Sequence, residues 1–297
     1  MPRIVGVNDQ GKTSRCRFPV KGATVEAGSM GKHKVAYTFC ESFMEDNPIT
    51  LEDLAGCLRA SHDLTADEVC SRIAQFARKS GLYSANDYDM FQAFDMEYEY
   101  DVREVFDRYL KGETNLSNYI DVINFQECAY PANYIKMRCL ENHDQPRICS
   151  FVKDRLSLTN YTAFLYFLKG TTLLYAGQEY MEDHVPSLFD KDVFRREEDK
   201  DISPLFANLY RFKKEVLSHE DHFKGRAEDA NHIAILERDD NRSRKIGIFS
   251  LKGMSADANV NLPDGEYTNH LNGGSVTVTD GKIRCDGKPI VISAESN

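Results

Sequence analysis

The sequence predicts an α/β fold that ends in a small antiparallel β-sandwich, and two observations carry this. From about residue 82 to 218, short strand-like runs alternate with amphipathic helical stretches. From about residue 220 to the end, short apolar runs are separated by turn residues, among them three Asp-Gly pairs. Strand–helix alternation implies parallel strands with helices packed outside them, whereas closely spaced short strands imply an antiparallel sandwich.

In the first ~80 residues, Ile4–Val7 and Val35–Cys40 read as strands and Thr65–Lys79 as a helix with Val69, Ile73 and Phe76 on one side. The segment from Gly11 to Lys34 has no period. Next come four helical stripes. Val102, Val105, Phe106, Tyr109 and Leu110 form the first, and Leu116, Tyr119, Ile120 and Ile123 the second, with Asn115 ahead of it as a cap. Tyr161, Phe164, Leu165 and Leu168 form the third; Leu205, Leu209, Phe212 and Val216 form the fourth. Between them lie strand-like runs at Met90–Asp95, Tyr134–Leu140 and Thr171–Ala176. In the tail, His232–Leu236, Lys245–Leu251, Ser275–Thr279 and Pro289–Ile292 are rich in β-branched residues. Asp264-Gly265, Asp280-Gly281 and Asp286-Gly287 tolerate the positive φ that tight hairpins need.

Composition narrows the function. With 37 Lys+Arg against 47 Asp+Glu, the net charge is −10, which argues against a dedicated binder of nucleic acid or anionic membranes. The longest clean apolar stretch, Ala163–Leu168, is far short of the ~20 residues of a membrane-spanning helix. The N-terminal residues lack the apolar stretch of a signal peptide, so the chain is expected in the cytoplasm. The eight cysteines show no C-x-x-C pair and read as reduced core thiols. The sequence has no Trp, the best stacking platform for a sugar, but 15 Tyr and 17 Phe offer substitutes.

The densest polar cluster is Glu141-Asn-His-Asp-Gln-Pro-Arg147, directly after the strand-like run Tyr134–Leu140. Functional groups of parallel α/β folds project from the C-terminal ends of strands. A carboxylate, an imidazole and a guanidinium at such an end suit a polyhydroxylated or anionic substrate. This segment resembles the fourth conserved region of the α-amylase family of glycoside hydrolases. Phe91–Asp95 with Tyr98–Asp101 is similar to the family's segment around barrel strand six, and Gly170–Glu179 to strand eight and its loop. Pro186–Asp190 and the β-rich tail also fit.

The resemblance implies a (β/α)8 TIM-type barrel, present here as its C-terminal half over residues 70–218. An all-β domain at 219–297 follows it, and an irregular segment at 1–69 precedes it. It implies retaining hydrolysis of an α-linked glucose oligosaccharide or glucoside, through an aspartate nucleophile, a glutamic acid and a second, substrate-distorting aspartate. Asp144 takes the distorting role, His143 hydrogen-bonds the same sugar, and Arg147 binds there or buttresses the site. The general acid stays open between Glu41, after the run Val35–Cys40, and Glu68, with Asp67 beside it. The nucleophile's Gly-x-Arg-x-Asp strand is absent; the nearest look-alike, Ser14-Arg-Cys-Arg-Phe18, has Arg17 where a carboxylate is needed. A whole barrel takes ~250 residues, and about four of its strands are legible here. The expectation is therefore a half-enzyme with little or no activity of its own, a sugar-binding remnant, or a partner to another chain. Unpaired sheet edges would favour self-association.

A competing motif lies at the N-terminus. Gly6-Val-Asn-Asp-Gln-Gly11-Lys12-Thr13 matches G-x-x-x-x-G-K-[ST], whose backbone amides cradle phosphates when the loop joins a strand to a helix. Pro19 limits any helix there. His219-Glu-Asp-His222 is not a zinc-binding H-E-x-x-H and reads as a solvated linker. Neither a metal nor a cofactor is expected.

Overall fold

A computed structural model describes residues 94–297 apart from 131–133, 220, 241 and 296–297 and, before residue 94, the backbone of six short strands. It divides into two compact units, Met1–Tyr134 and Ile135–Asn297.

In the first unit, β1 (Arg3–Val7) pairs antiparallel with β2 (Thr13–Arg15) on one side and with β6 (Val35–Thr38) on the other. β3 (Phe18–Val20) pairs with β4 (Ala23–Val25), and β5 (Gly28–Ser29) with β6. This corrects the phosphate-loop expectation. Gly6 lies opposite Ser14 and Val7 opposite Thr13, so Gly6 and Thr13 belong to a hairpin instead of a strand-to-helix turn. Without a helix N-terminus, the amides of such a loop have no common focus for a phosphate. Gly11 and Lys12 lie outside the described residues, as do the helix expected at Thr65–Lys79 and most of the strand expected at Met90–Asp95. The strand described nearby is β7 (Glu97–Tyr98).

The two helices of this unit follow their stripes. α1 (Arg103–Leu110) buries Val105, Phe106 and Tyr109, and α2 (Leu116–Ala129) buries Leu116, Tyr119, Ile120 and Ile123. Asn115 precedes α2 in an extended conformation, but its side chain makes no cap bond. Asp101 is tied down locally: its Oδ2 accepts from Gln126 Nε2 at 2.8 Å and from the Tyr130 hydroxyl at 2.7 Å.

The second unit opens with β8 (Lys136–Arg138), α3 (Arg155–Phe167) and β9 (Thr171–Thr172). β8 and β9 are parallel, with Met137 opposite Thr171 and Arg138 opposite Thr172, and the helix connects them. This is the repeating unit of a β/α barrel, and no closed barrel is present among the described residues. The strands are shorter than their sequence runs because the chain turns into functional loops after Arg138 and Thr172. Asp154 starts α3, its Oδ1 accepting from the Ser157 amide at 2.7 Å. Between α3 and β9, Gly170 holds φ +105°, and a Cβ there would run into the Lys136 carbonyl oxygen. Gly170→Ala is therefore expected to lower stability by roughly 1–3 kcal/mol in a thermal melt, having neither the conformation nor the room.

α4 (Ser203–Val216) leads into the sandwich, burying Phe206, Leu209 and Phe212. One sheet has the order β10-β11-β12-β17: His222–Glu228, Ile233–Asp239, Ser243–Ser250 and Ile290–Glu295. The other has the order β13-β16-β15-β14: Ser255–Asn259, Lys282–Asp286, Ser275–Thr279 and Gly265–Thr268. Ile233, Ile235, Ile246, Ile248, Ile283 and Ile292 are among the residues that fill the space between them. Of the three Asp-Gly pairs, Asp280-Gly281 makes the two-residue hairpin, with φ of 50° and 66° between the paired Thr279 and Lys282.

The first sheet is buried on both faces, which is why its strands read as continuous apolar runs. Ile233, Ile235, Ile246 and Ile248 face the sandwich core. On the other face Phe249 meets Phe164 and Phe167 of α3, at ring-centroid distances of 5.8 and 5.7 Å. Asn160 of α3, fully buried, donates to the Gly287 carbonyl at 2.8 Å and accepts from the Ser250 amide at 2.9 Å.

The C-terminal end of α3 is ringed by cations. Arg238 donates to the Phe167 carbonyl at 2.9 Å, Lys213 to Leu168 at 2.9 Å, and Arg138 to Lys169. Positive charge at this end opposes the helix dipole and satisfies carbonyls left without helical partners. Mutual proximity has a cost: burial, then Arg238, lowers Arg138 to about 9, and burial, then Arg238 and Arg138, hold Lys213 well below the usual lysine range. Asp221, expected as part of a solvated linker, is instead fully buried beneath this ring. It lies 3.5 Å from Arg238 Nε and 3.7 Å from Lys245 Nζ, and accepts from the Ser218 amide. Among the described residues, no helix is long and apolar enough to cross a membrane.

Candidate functional site

Two loops leave the C-terminal ends of the parallel pair β8 and β9: residues 139–154 and residues 173–202. The first holds the polar cluster, and its residues divide sharply by burial. Glu141, Asn142 and Arg147 are buried, whereas His143 and Asp144 each expose 49% of their side chains.

The buried members build the loop. Glu141 Oε1 accepts from Arg147 at 2.6 Å, and its Oε2 accepts from the Ile148 amide at 2.7 Å. Asn142 Oδ1 accepts from the Asp144 amide at 2.8 Å, a side chain-to-backbone turn that aims residues 143 and 144 outward. The exposed pair then stands on this base, with His143 Nε2 3.4 Å from Asp144 Oδ1.

Arg147 couples the two loops. Besides Glu141, its guanidinium donates to the carbonyls of Ala176 at 2.9 Å and His184 at 3.0 Å, and it lies over the Tyr175 ring at 4.4 Å. Each of these partners is a protein group. This planar fork holds three acceptors at once, which a lysine's point charge cannot reproduce. Nearby Cys149 is no nucleophile at neutral pH: burial, then the Glu141 carboxylate, pushes its thiol up to about 12.

The second loop is clamped by Glu182, a residue the sequence did not single out. Its Oε1 accepts from the Asp183 and His184 amides at 3.0 Å each, and the Arg195 guanidinium reaches the same oxygen at 3.2 Å. The Arg195 amide completes the set at 2.5 Å, on Oε2. Burial pushes this carboxyl up, but the hydrogen bonds from Arg195 and His184 together bring it down to about 2. A carboxylate with a lowered pKa contributes stability that is complete above about 4.5 and lost as the pH falls toward 2. Glu182→Gln should thus lose on the order of 3 kcal/mol at pH 7 and show a shallower acid limb in urea melts recorded from pH 7 to 2.

The structure brings His143, Asp144 and Arg147 into one loop. Glu41 and Glu68 lie outside the described residues. Among the described residues no cluster of His, Cys, Asp and Glu is suited to a metal ion.

Comparison with known proteins converges on one family. A model described as the alpha amylase catalytic domain matches residues 45–245, and one described as the bacterial alpha amylase C-terminal domain matches residues 224–292. The chain is similar to an alpha-amylase from Lactobacillus plantarum, at 32% identity and a TM-score of 0.64, covering 73% of this chain and 51% of that one. It is also similar to a maltogenic alpha-amylase from Thermotoga neapolitana, at 27% identity and a TM-score of 0.63, covering 71% and 53%. An alpha-amylase from Geobacillus thermoleovorans complexed with acarbose shares the fold at 15% identity and a TM-score of 0.55, covering 76% and 56%. The chain spans about half the length of the first two. A search of curated proteins returned no match.

Proposed function

Because this chain belongs to the α-amylase family of glycoside hydrolases, we propose that its 141–147 loop grips one glucose unit of an α-linked glucan or glucoside. Asp144 accepts hydrogen bonds from the sugar hydroxyls and favours the distorted ring on the way to an oxocarbenium-like transition state. His143 donates to the same ring. Glu141 and Arg147 act through them, as positioning residues that fix the loop. The observation that carries this reading is the contrast within one heptapeptide: the flanking charges are buried and paired, while Asp144 and His143 stand half-exposed and 3.4 Å apart.

Retaining hydrolysis needs two more carboxyl groups, a nucleophile and an acid ≈ 5–5.5 Å apart. We assign the acid to Glu41 or Glu68. The 297 residues contain no Gly-x-Arg-x-Asp segment, so in this proposal the chain by itself binds glucan and turns it over poorly or not at all.

Calorimetry with maltoheptaose and release of a chromophore from an α-glucoside test both halves. Binding should weaken at least about tenfold in Asp144→Asn, the loss expected for a charged hydrogen-bond partner. The melting temperature should not change, because the side chain is half-exposed. Turnover by the unmodified chain that disappears in Asp144→Asn would overturn the inactive half-site.

A further inference from the structure

The loop after β9 carries an apolar tip that the site described so far does not use. Phe189 is 94% exposed, and Leu188, Val185 and Val193 expose 59%, 48% and 71%. A phenylalanine left in water forgoes roughly 2–3 kcal/mol of burial, so a chain that holds one outward needs a reason.

The backbone holds it there by construction. Ser187 Oγ accepts from the amides of Phe189 at 3.2 Å and Asp190 at 3.0 Å. Asp192 Oδ2 accepts from the Ser187 amide at 3.0 Å and bonds His184 Nε2 at 2.7 Å, closing the base of the tip. The base is joined in turn to the 141–147 loop, since His184 supplies a carbonyl to Arg147. The apolar tip and the polar pair Asp144–His143 therefore belong to one braced framework.

We propose that Phe189, flanked by Leu188, is a stacking platform for a pyranose ring of the glucan, a subsite additional to the one gripped by Asp144 and His143. The proposal rests on the glucan reading above. A glucose ring presents an apolar C–H face edged by hydroxyls, and the tip matches it: an aromatic face with Asp190, Lys191 and Asp192 beside it. Four apolar side chains on one loop are far smaller than the ≈ 800 Å² per partner of a stable protein interface, which disfavours a protein as the occupant.

Calorimetry with maltoheptaose tests this in the full chain, comparing Phe189→Ala, Phe189→Trp and Asp144→Asn. The expected result is about three- to tenfold weaker binding in Phe189→Ala, with retained or tighter binding in Phe189→Trp and unchanged melting temperatures. Binding that Asp144→Asn weakens but Phe189→Ala leaves intact would overturn the platform alone. No binding by the unmodified chain would overturn the glucan reading together with it. A sedimentation coefficient that falls in Phe189→Ala, with unaltered affinity, would make the tip a protein contact and also overturn the proposal.

Discussion

Glu141→Ala should destabilise the chain by about 3–5 kcal/mol and abolish glucan binding in whatever fraction remains folded. The carboxylate and the Arg147 guanidinium are 0% and 1% exposed and 2.6 Å apart. Removing one partner strands a full charge away from water, which costs more than the pair itself contributes. The Ile148 amide loses its acceptor as well. Relaxation would carry Arg147 off the Ala176 and His184 carbonyls, releasing the second loop together with the first. Urea melts measure the first effect, and calorimetry with maltoheptaose measures the second. Glu141→Gln keeps shape and one acceptor, and should fall between Glu141→Ala and the unmodified chain. An Ala variant as stable as the parent would show that Arg147 reaches water after all.

Asp221→Ala is the second large effect, again about 3–5 kcal/mol, but with Asp144 untouched. Asp221 is the buried carboxylate that faces both Arg238 and Lys245. Without it the ring of cations around the end of α3 loses its nearest negative charge, and the repulsion that already depresses Lys213 and Arg138 grows. Adding Arg238→Met should restore part of the loss, because an apolar replacement removes the stranded charge. A double-mutant cycle on urea midpoints measures the coupling, and strict additivity would refute it. Lys213 gives a pH signature to the same ring. A lysine with a lowered pKa binds fewer protons folded than unfolded, so stability rises with pH between that lowered value and 10.5.

Much of this architecture could be read from local pattern. The stripes Val105, Phe106, Tyr109 and Tyr161, Phe164, Leu165 are buried as their spacing implies, and Asp280-Gly281 adopts the positive φ values its residues tolerate. The loop 141–147 was visible as a polar burst after a strand. What stayed hidden depends on partners distant in sequence. Asp221 looks hydrophilic among His219, Glu220 and His222 until Arg238 and Lys245 fold onto it. Asn160 sits in an apolar helix, and its partners lie 90 and 127 residues away. Glu182 needs Arg195, 13 residues on, before it is anything more than an acidic loop residue. The strands at Arg138 and Thr172 ended early because a loop that presents function must leave the sheet, and no propensity marks that departure.

The sheet β10-β11-β12-β17 has two cores to serve, and this has a bearing on modularity. Phe249 seals Phe164 and Phe167, while Ile246 and Ile248 from the same strand seal the sandwich. A recombination event that exchanged only the residues after α4 would give α3 a foreign wall, and would separate Asn160 from Ser250 and Gly287. The heritable block therefore reaches back at least to Arg155, so helix and sandwich should be inherited, grafted or diversified together. Changes at Gly247, where a Cβ would lie 2.5 Å from the Phe249 ring, should be matched by changes on α3, which lies 3.1 Å away through Phe167.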